Sequence, residues 1–74
     1  MPARFYFHLV RRHERIVDRI GMTLSRETVM SEAVIDKVNE RWPGTVDLGD
    51  WEGWSVEIVD AEGEIVRMRL LRRA

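Results

Sequence analysis

The sequence predicts an α+β fold in which a four-stranded, mostly antiparallel sheet carries one helix on one face. Three observations predict the order β-β-α-β-β. Residues near both ends alternate between apolar and polar side chains, which is typical of strands with one buried face. A segment between them has apolar residues at helical spacing, and turn-forming residues separate the segments. One helix covers one face of this two-layer sandwich, so the other face is either solvated or buried in an oligomer.

Length and composition limit the functions open to the chain. Its 74 residues form one domain over 1–74, and a chain this short buries only about 60% of its unfolded surface, which disfavours a deep substrate pocket. Cysteine is absent, so there is no disulfide framework and no thiolate metal site. The N-terminus lacks a signal-peptide pattern, and no apolar run has membrane-helix length. We therefore expect a soluble protein of the cytoplasm.

Charge is distributed unevenly along the chain, although the net charge is only −1. The first 20 residues contain five arginines and two acids, and the last ten contain four arginines and no acid. Eleven acids lie between Glu27 and Glu64. The fold therefore decides whether the basic ends form a patch or are neutralised by the acidic middle.

The first hairpin is predicted from alternation over Arg4–Val10, a polar turn at Arg11–Glu14 and a second strand, Arg15–Ile20, that ends at Gly21. Phe5, Phe7 and Leu9 share the face toward the helix. Two registers are open. One pairs Leu9 with Ile16 and turns Asp18 toward the core, where a carboxylate without a partner is costly. The other pairs Leu9 with Val17 and sets His8 across from Asp18 on the outer face, and we favour it.

The helix is predicted to begin after Ser25, whose hydroxyl can cap the first turn, and to run for about four turns. Pro43-Gly44 ends it, and a loop at Thr45–Gly53 follows. Its apolar arc consists of Met30, Val34, Ile35, Val38 and Trp42. Its opposite face is acidic rather than basic, which argues against a helix that lies on a membrane.

The second hairpin is predicted with a three-residue loop, Ala61–Gly63, in which Gly63 takes the left-handed conformation. This register pairs Asp60 with Glu64, Val59 with Ile65, Ile58 with Val66, Glu57 with Arg67, Val56 with Met68 and Trp54 with Leu70. A two-residue loop would set Ile58 against Arg67 and Val56 against Arg69, and we reject it because it breaks the apolar pattern. The predicted core is Phe5, Phe7, Leu9, Met30, Val34, Val38, Trp42, Trp54, Val56, Ile58, Val66, Met68 and Leu70.

Short motifs along nearly the whole chain resemble those of one protein family. The matching positions are Pro2, Phe5, Phe7, His8, Asp18, Gly21, Leu24, Glu32, Ala33, Trp54, Val56, Ile58, Asp60 and Gly63. They are similar to P-R-[YF]-F-F-H, D-x-x-G, L-P-D-L-x-x-A and W-x-[IV]-x-[VI]-x-D-x-x-G in a family of small bacterial proteins known as domain of unknown function 6894. The chain departs from the family at the first turn, where R-R-H-E replaces a D-G-D-like segment, and at Ser25-Arg26, which replaces Pro-Asp.

The resemblance implies no known activity, but it places His8, Asp18 and Gly21 in one recurring pattern, which fits a structural pairing as readily as a site. We expect a His8–Asp18 hydrogen bond that orders the hairpin, with the carboxylate favouring the protonated imidazole. His8, His13 and Asp18 lack the spacing of a metal site, and no Ser-His-Asp set or glycine-rich phosphate loop is present. We therefore expect no catalytic site, metal or cofactor. Trp51 and Trp54 are expected in the core or its lid rather than in an aromatic clamp.

Two functions remain as hypotheses. The favoured one is a small interaction protein, homodimeric through an exposed strand edge or the outer sheet face, on which Tyr6, Val10, Val59, Ile65 and Ile16 are candidate contacts. The alternative is a nucleic-acid-binding module, which requires the first strand to pair with the last and gather a basic face. The candidate interaction or nucleic-acid residues are Arg4, Tyr6, His8, Asp18, Arg67 and Arg69. A pI of about 6.1 argues against the alternative.

Overall fold

The structure is a computed structural model that describes residues 1–43 and 53–71. Its elements are β1 (Ala3–Arg11), β2 (Glu14–Ile16), β3 (Met22–Leu24), α1 (Arg26–Val29), α2 (Val34–Arg41), β4 (Trp54–Val59) and β5 (Ile65–Leu71). The strands form one antiparallel sheet in the order β2-β1-β4-β5, and β3 also pairs with β1. The predicted α+β class is therefore confirmed. The predicted loop and Trp51 lie outside the described residues, apart from Gly53.

Alternation in the two central strands builds the core. Phe5, Phe7 and Leu9 of β1 are buried, and so are Val56 and Ile58 of the neighbouring β4. Val34 and Val38 of α2 cover this face, as the helical spacing predicts. The cluster is completed by Leu24, Val29, Trp54 and Leu71, with Met22, Trp42 and Val66 partly buried against it.

The first hairpin adopts the register that we disfavoured. Leu9 pairs with Ile16, and Asp18 is buried. The predicted second strand is also divided, because β2 ends at Ile16 and β3 begins only at Met22. The prediction was wrong because it assumed a buried carboxylate without partners. Asp18 instead receives four hydrogen bonds in the gap between the two short strands.

The predicted four-turn helix is interrupted between α1 and α2. The Ser31 hydroxyl donates to the carbonyl of Thr28 and accepts from the backbone N–H of Ala33, so it competes with a continuous helix. The interruption changes which side chains face the sheet. Val29 is fully buried, whereas Met30, which we placed in the core, is 54% exposed.

The second hairpin has the predicted loop but not the predicted register beyond it. Asp60 bonds to Glu64 across the turn, Gly63 has φ +86°, and Val59 pairs with Ile65. A β-bulge then shifts the strands by one residue. The pairs that result are Ile58–Arg67, Glu57–Met68, Val56–Arg69 and Trp54–Leu71. The expected pairs Ile58–Val66, Glu57–Arg67, Val56–Met68 and Trp54–Leu70 are therefore wrong.

Because of the bulge, the residues of β5 that belong to the core differ from those predicted. Leu71 is buried, whereas Met68 and Leu70 are 54% and 53% exposed because they now lie on the outer face. Arg67 and Arg69 lie on the helix face in their place. Their long side chains reach past the core edge to Val29 at the end of α1 and to Glu32 between the helices, so this register does not leave their charges unsatisfied in apolar surroundings.

Candidate functional site

The buried carboxylate of Asp18 lies where the edge of the sheet passes from β2 to β3. Its Oδ2 accepts the backbone N–H of Phe7 at 3.0 Å. Its Oδ1 accepts the backbone N–H groups of Ile20 and Gly21, both at 3.0 Å, and the Arg41 Nε at 2.6 Å. One side chain therefore joins the central strand, the turn before β3 and the end of α2.

Gly21 makes this arrangement possible. Its φ of +72° is one that other residues rarely adopt. A Cβ at this position would lie 2.7 Å from the carbonyl oxygen of Phe5 and 2.9 Å from the Tyr6 ring. The D-x-x-G segment is thus a tight turn in which the aspartate binds the backbone two and three residues ahead and the glycine lets the chain pass close to β1.

Phe7 shows how this edge of β1 is closed. In place of a neighbouring strand, its N–H donates to Asp18, and its carbonyl accepts the Trp42 Nε1 at 2.8 Å. Arg41 stacks over the Trp42 ring at 4.3 Å from the ring centroid and also binds Asp18. In the gap between β2 and β3, hydrogen bonds with side chains therefore replace strand pairing along β1.

His8 does pair with Asp18, but through the backbone. The backbone N–H of Asp18 donates to the Nδ1 of His8 at 3.0 Å. Because Nδ1 is the acceptor, this bond requires a ring without a proton on that nitrogen. Burial lowers the pKa of His8 most, and the charge of Arg15 lowers it further, against smaller opposite effects of Asp18 and Glu57. The Asp18 carboxylate does raise the pKa of His8, as expected, but burial and Arg15 outweigh it, so the net pKa is lowered.

The pKa of Asp18 is held below its usual value by competing effects. Burial raises it and is the largest single effect, but it is outweighed by the hydrogen bonds from the backbone of Phe7, Gly21 and Ile20 and from Arg41. The carboxylate therefore stays ionised at neutral pH. With its oxygens occupied by four donors, it is a structural anion and is poorly suited to act as a general base.

The match to known proteins covers this whole network. A family model described as a domain of unknown function (DUF6894) matches residues 4–71. The chain belongs to this family. The predicted resemblance is thereby confirmed, and the family description names no activity. No curated protein and no solved structure matches the chain.

The basic face predicted for nucleic acid does not assemble in this family member. β1 pairs with β4 rather than with β5, so Tyr6 and His8 face outward beside Val59 and Glu57. Arg67 and Arg69 lie on the opposite, helix-bearing face. There the Arg67 Nη1 donates to the carbonyls of Val29 and Ser31 at 2.7 and 2.8 Å.

The remaining charged candidates are also engaged elsewhere. Arg69 donates to Glu32 at 2.9 Å, and Arg4 donates to the Thr23 hydroxyl on β3. The described residues contain no group of three or more His, Cys, Asp or Glu arranged to hold a metal ion. Neither described helix has the length and apolar character needed to cross a membrane.

Sequence reasoning missed three participants in the site. Arg41 and Trp42 bind Asp18 and Phe7 across 23 and 35 residues of sequence, a separation that no local pattern reveals. Glu57 lies on the outer face, where an isolated carboxylate is expected to be exposed, yet it is only 8% exposed. The Arg15 Nη2 lies 2.9 Å from its Oε1.

Proposed function

We propose that the protein is a non-catalytic binding module whose partner is a second copy of itself, paired edge to edge along β5. The observation that carries the proposal is the composition of that edge. The outer-face residues Ile65, Met68 and Leu70 are 56%, 54% and 53% exposed, and all three lie on β5, the last strand of the described sheet. An edge strand with exposed apolar side chains offers both main-chain groups and apolar area to another strand.

The charged residues of β5 do not protect this edge. Inward-pointing charges usually oppose strand addition because pairing would bury them without partners. Here Arg67 is bonded to the carbonyls of Val29 and Ser31, and Arg69 to Glu32. The bulge protects only the start of the strand, next to Val59 and Ile65. The segment from Arg67 to Leu71 remains available for pairing.

A second copy fits this edge because the strand is self-complementary. Antiparallel pairing of β5 with itself brings Met68 and Leu70 of both copies together on the outer face, where each is now solvated. The same pairing brings the arginines of the two copies close on the helix face. Glu32, whose side chain is 79% exposed beside Arg67 and Arg69, supplies an anion from each copy to balance them.

The test is sedimentation equilibrium of the full chain over about 10 µM to about 1 mM, the range in which small interfaces associate. Leu70→Lys should shift the chain to monomer. The matched control is Ile20→Lys, which alters a residue 62% exposed next to the opposite edge and should leave the dimer intact. Both substituted side chains are exposed in the single chain, so both variants should fold.

A third variant separates edge pairing from face-to-face packing. Val10 lies on the outer face of β1 and is separated from β5 by β4. Val10→Lys should leave an edge-paired dimer intact and disrupt a face-to-face dimer. A wild-type chain that is monomeric throughout the range, or a dimer insensitive to Leu70→Lys, would refute the proposal.

A further inference from the structure

An open groove of about 500 Å³ lies between the β1–β2 turn and the outer face of β4 and β5. Its lining includes Val10, Arg12, His13, Arg15, Glu57 and Met68. This volume falls within the range of small-molecule sites, and most of the lining residues are charged or polar. The groove is separate from the Asp18 network and from the Leu70 side chain.

Among the described residues, the groove contains one positive charge with no acid paired to it. Arg11 is paired with Glu14 at 2.6 Å, and Arg15 approaches Glu57 at 2.9 Å. Arg12 forms no ion pair within residues 1–43 and 53–71, and its guanidinium offers several donors in a planar arrangement that matches phosphate or carboxylate oxygens. The groove is therefore suited to an anionic group at the turn.

The backbone of Arg12 gives a second indication. Arg12 has φ +48°, and it is the one residue other than glycine with positive φ in the described chain. Glycine would adopt this conformation without the steric cost that arginine bears. An arginine held in a strained conformation at the rim of a groove suggests a role for its side chain.

Glu57 places a carboxylate at the floor of the groove, opposite in charge to Arg12 at the rim. Its Oε1 is buried and has no hydrogen bond, because the approach of Arg15 lacks hydrogen-bond geometry. A buried carboxylate oxygen in this state is stabilised by a directed donor, and an ammonium group is the strongest one available. Arg15, whose side chain is 49% exposed, is long enough to turn toward the rim when Glu57 is occupied.

We propose that this groove binds a small organic zwitterion, with its phosphate or carboxylate on Arg12 and its ammonium group on Glu57. The site is present in the single chain and does not depend on pairing through β5. Two halves of the ligand are thus recognised by opposite charges at the rim and the floor. A molecule that carries both groups should bind more tightly than one that carries the anion alone.

The test is a titration of the ¹⁵N-labelled full chain followed by amide chemical shifts. The probes are phosphoethanolamine against inorganic phosphate, and β-alanine against acetate, so that each pair isolates the ammonium group and the two pairs distinguish the anions. In at least one pair, the zwitterion should bind about tenfold more tightly than its partner, with shifts confined to the turn and the adjacent part of β4.

Variants assign the two contacts. Arg12→Gly relieves the backbone strain, so it should fold, and it should weaken the zwitterion about tenfold. Arg12→Lys should restore part of that affinity, and the matched control, Arg19→Ala at an exposed arginine outside the groove, should have no effect. Glu57→Gln should remove the advantage of the zwitterion over the plain anion.

Three results would overturn the proposal: no saturable shift with any probe, equal affinities for Arg12→Gly and Arg19→Ala, or an advantage that survives Glu57→Gln. Leu70→Lys should bind the zwitterion as the wild type does. If Leu70→Lys abolishes the dimer but not zwitterion binding, the groove site is supported independently of the proposed pairing through β5.

Discussion

The two edges of the sheet are built in opposite ways. On one edge, β1 is flanked by two three-residue strands, and the gap between them is filled by the Asp18 carboxylate and the Trp42 indole. On the other edge, β5 runs for seven residues with apolar side chains exposed on its outer face. The first edge offers little uninterrupted main chain to another strand, whereas the second offers a long segment.

The difference shows what a buried charge contributes to this fold. Ion pairs at buried positions are weak sources of net stability, and here the Asp18–Arg41 pair joins the turn before β3 to the end of α2. Asp18 lies just after β2, orders the turn before β3 and attaches α2, so this edge offers little free main chain to another strand. A small sheet with two open edges would be prone to uncontrolled association instead.

The largest expected loss of stability comes from a substitution of Gly21, in the turn that closes the first edge. Gly21→Ala should destabilise the fold by about 4 kcal/mol, because it adds a contact with the Phe5 carbonyl to the strain of a positive φ. Gly63→Ala is the control, since Gly63 has φ +86° but nothing within 4 Å of a new Cβ, so it should cost only about 1–2 kcal/mol. Urea unfolding measures both, and equal losses would contradict the close approach at Gly21.

A smaller loss is expected from Asp18→Asn. Asparagine keeps one acceptor oxygen, which can serve the three donors that share Oδ1, so the Phe7 N–H would face the amide NH2 group and Arg41 would lose its counter-charge. We expect a cost of about 2–3 kcal/mol in urea unfolding. Glu14→Gln, which affects only an exposed pair with Arg11, should cost less than about 1 kcal/mol. Similar costs for the two variants would argue against the network.

On the open edge, Arg67→Ala tests the link between β5 and the break in the helix. The substitution removes the donors to the Val29 and Ser31 carbonyls and should cost about 1–2 kcal/mol. Amide hydrogen exchange should show the loss of protection concentrated in α1. Arg26→Ala, at an exposed arginine on α1 itself, is the control, and equal deprotection of α1 in both variants would speak against the role of Arg67.

The smallest effect is the dependence of stability on pH. The pKa of His8 is lowered from 6.5 in the folded state. The contribution of His8 to the free energy of unfolding is therefore complete above pH 6.5 and is lost as pH falls through the folded pKa. Asp18, with a pKa lowered from 3.8, contributes above that value, and its contribution is lost in stronger acid. Stability should therefore decline from pH 7 to pH 5 through His8 and again below about pH 4 through Asp18.

The first decline can be assigned with two variants. His8→Asn keeps an acceptor near the Asp18 backbone N–H but cannot titrate, so it should flatten the slope between pH 7 and pH 5. Ile20→Ala, at an exposed side chain that does not titrate, is the control and should leave that slope unchanged. A slope that survives His8→Asn would show that another group is responsible.

The sequence was sufficient for the fold class and for the parts of the core that depend on simple alternation. Phe5, Phe7 and Leu9, and likewise Val56 and Ile58, occupy the predicted face because period-two patterning allows no other placement. The loop at Gly63 was also predictable, since its geometry requires a residue that tolerates positive φ. Each of these features rests on interactions between residues close in sequence.

The interruption of the helix at Ser31 follows from local hydrogen bonds, whereas the two register errors involve polar groups with partners distant in sequence. Asp18 was placed outside the core because Arg41 and the backbone donors of the turn were not visible in the local pattern. The register of β5 was wrong because Val-Arg-Met-Arg-Leu-Leu can alternate in either phase, and contacts between its arginines and the helices select one of them. Placing Arg67 inward requires knowing that the helix ends nearby.

Amide hydrogen exchange at increasing protein concentration tests the contrast between the two edges most directly. Amides of β5 between Arg67 and Leu71 should gain protection as the chain associates, while those of β2 and β3 should exchange at rates independent of concentration. Exchange in β5 that is independent of concentration, or protection gained at β2 and β3 instead, would contradict an edge closed at β2 and β3 and an edge open at β5.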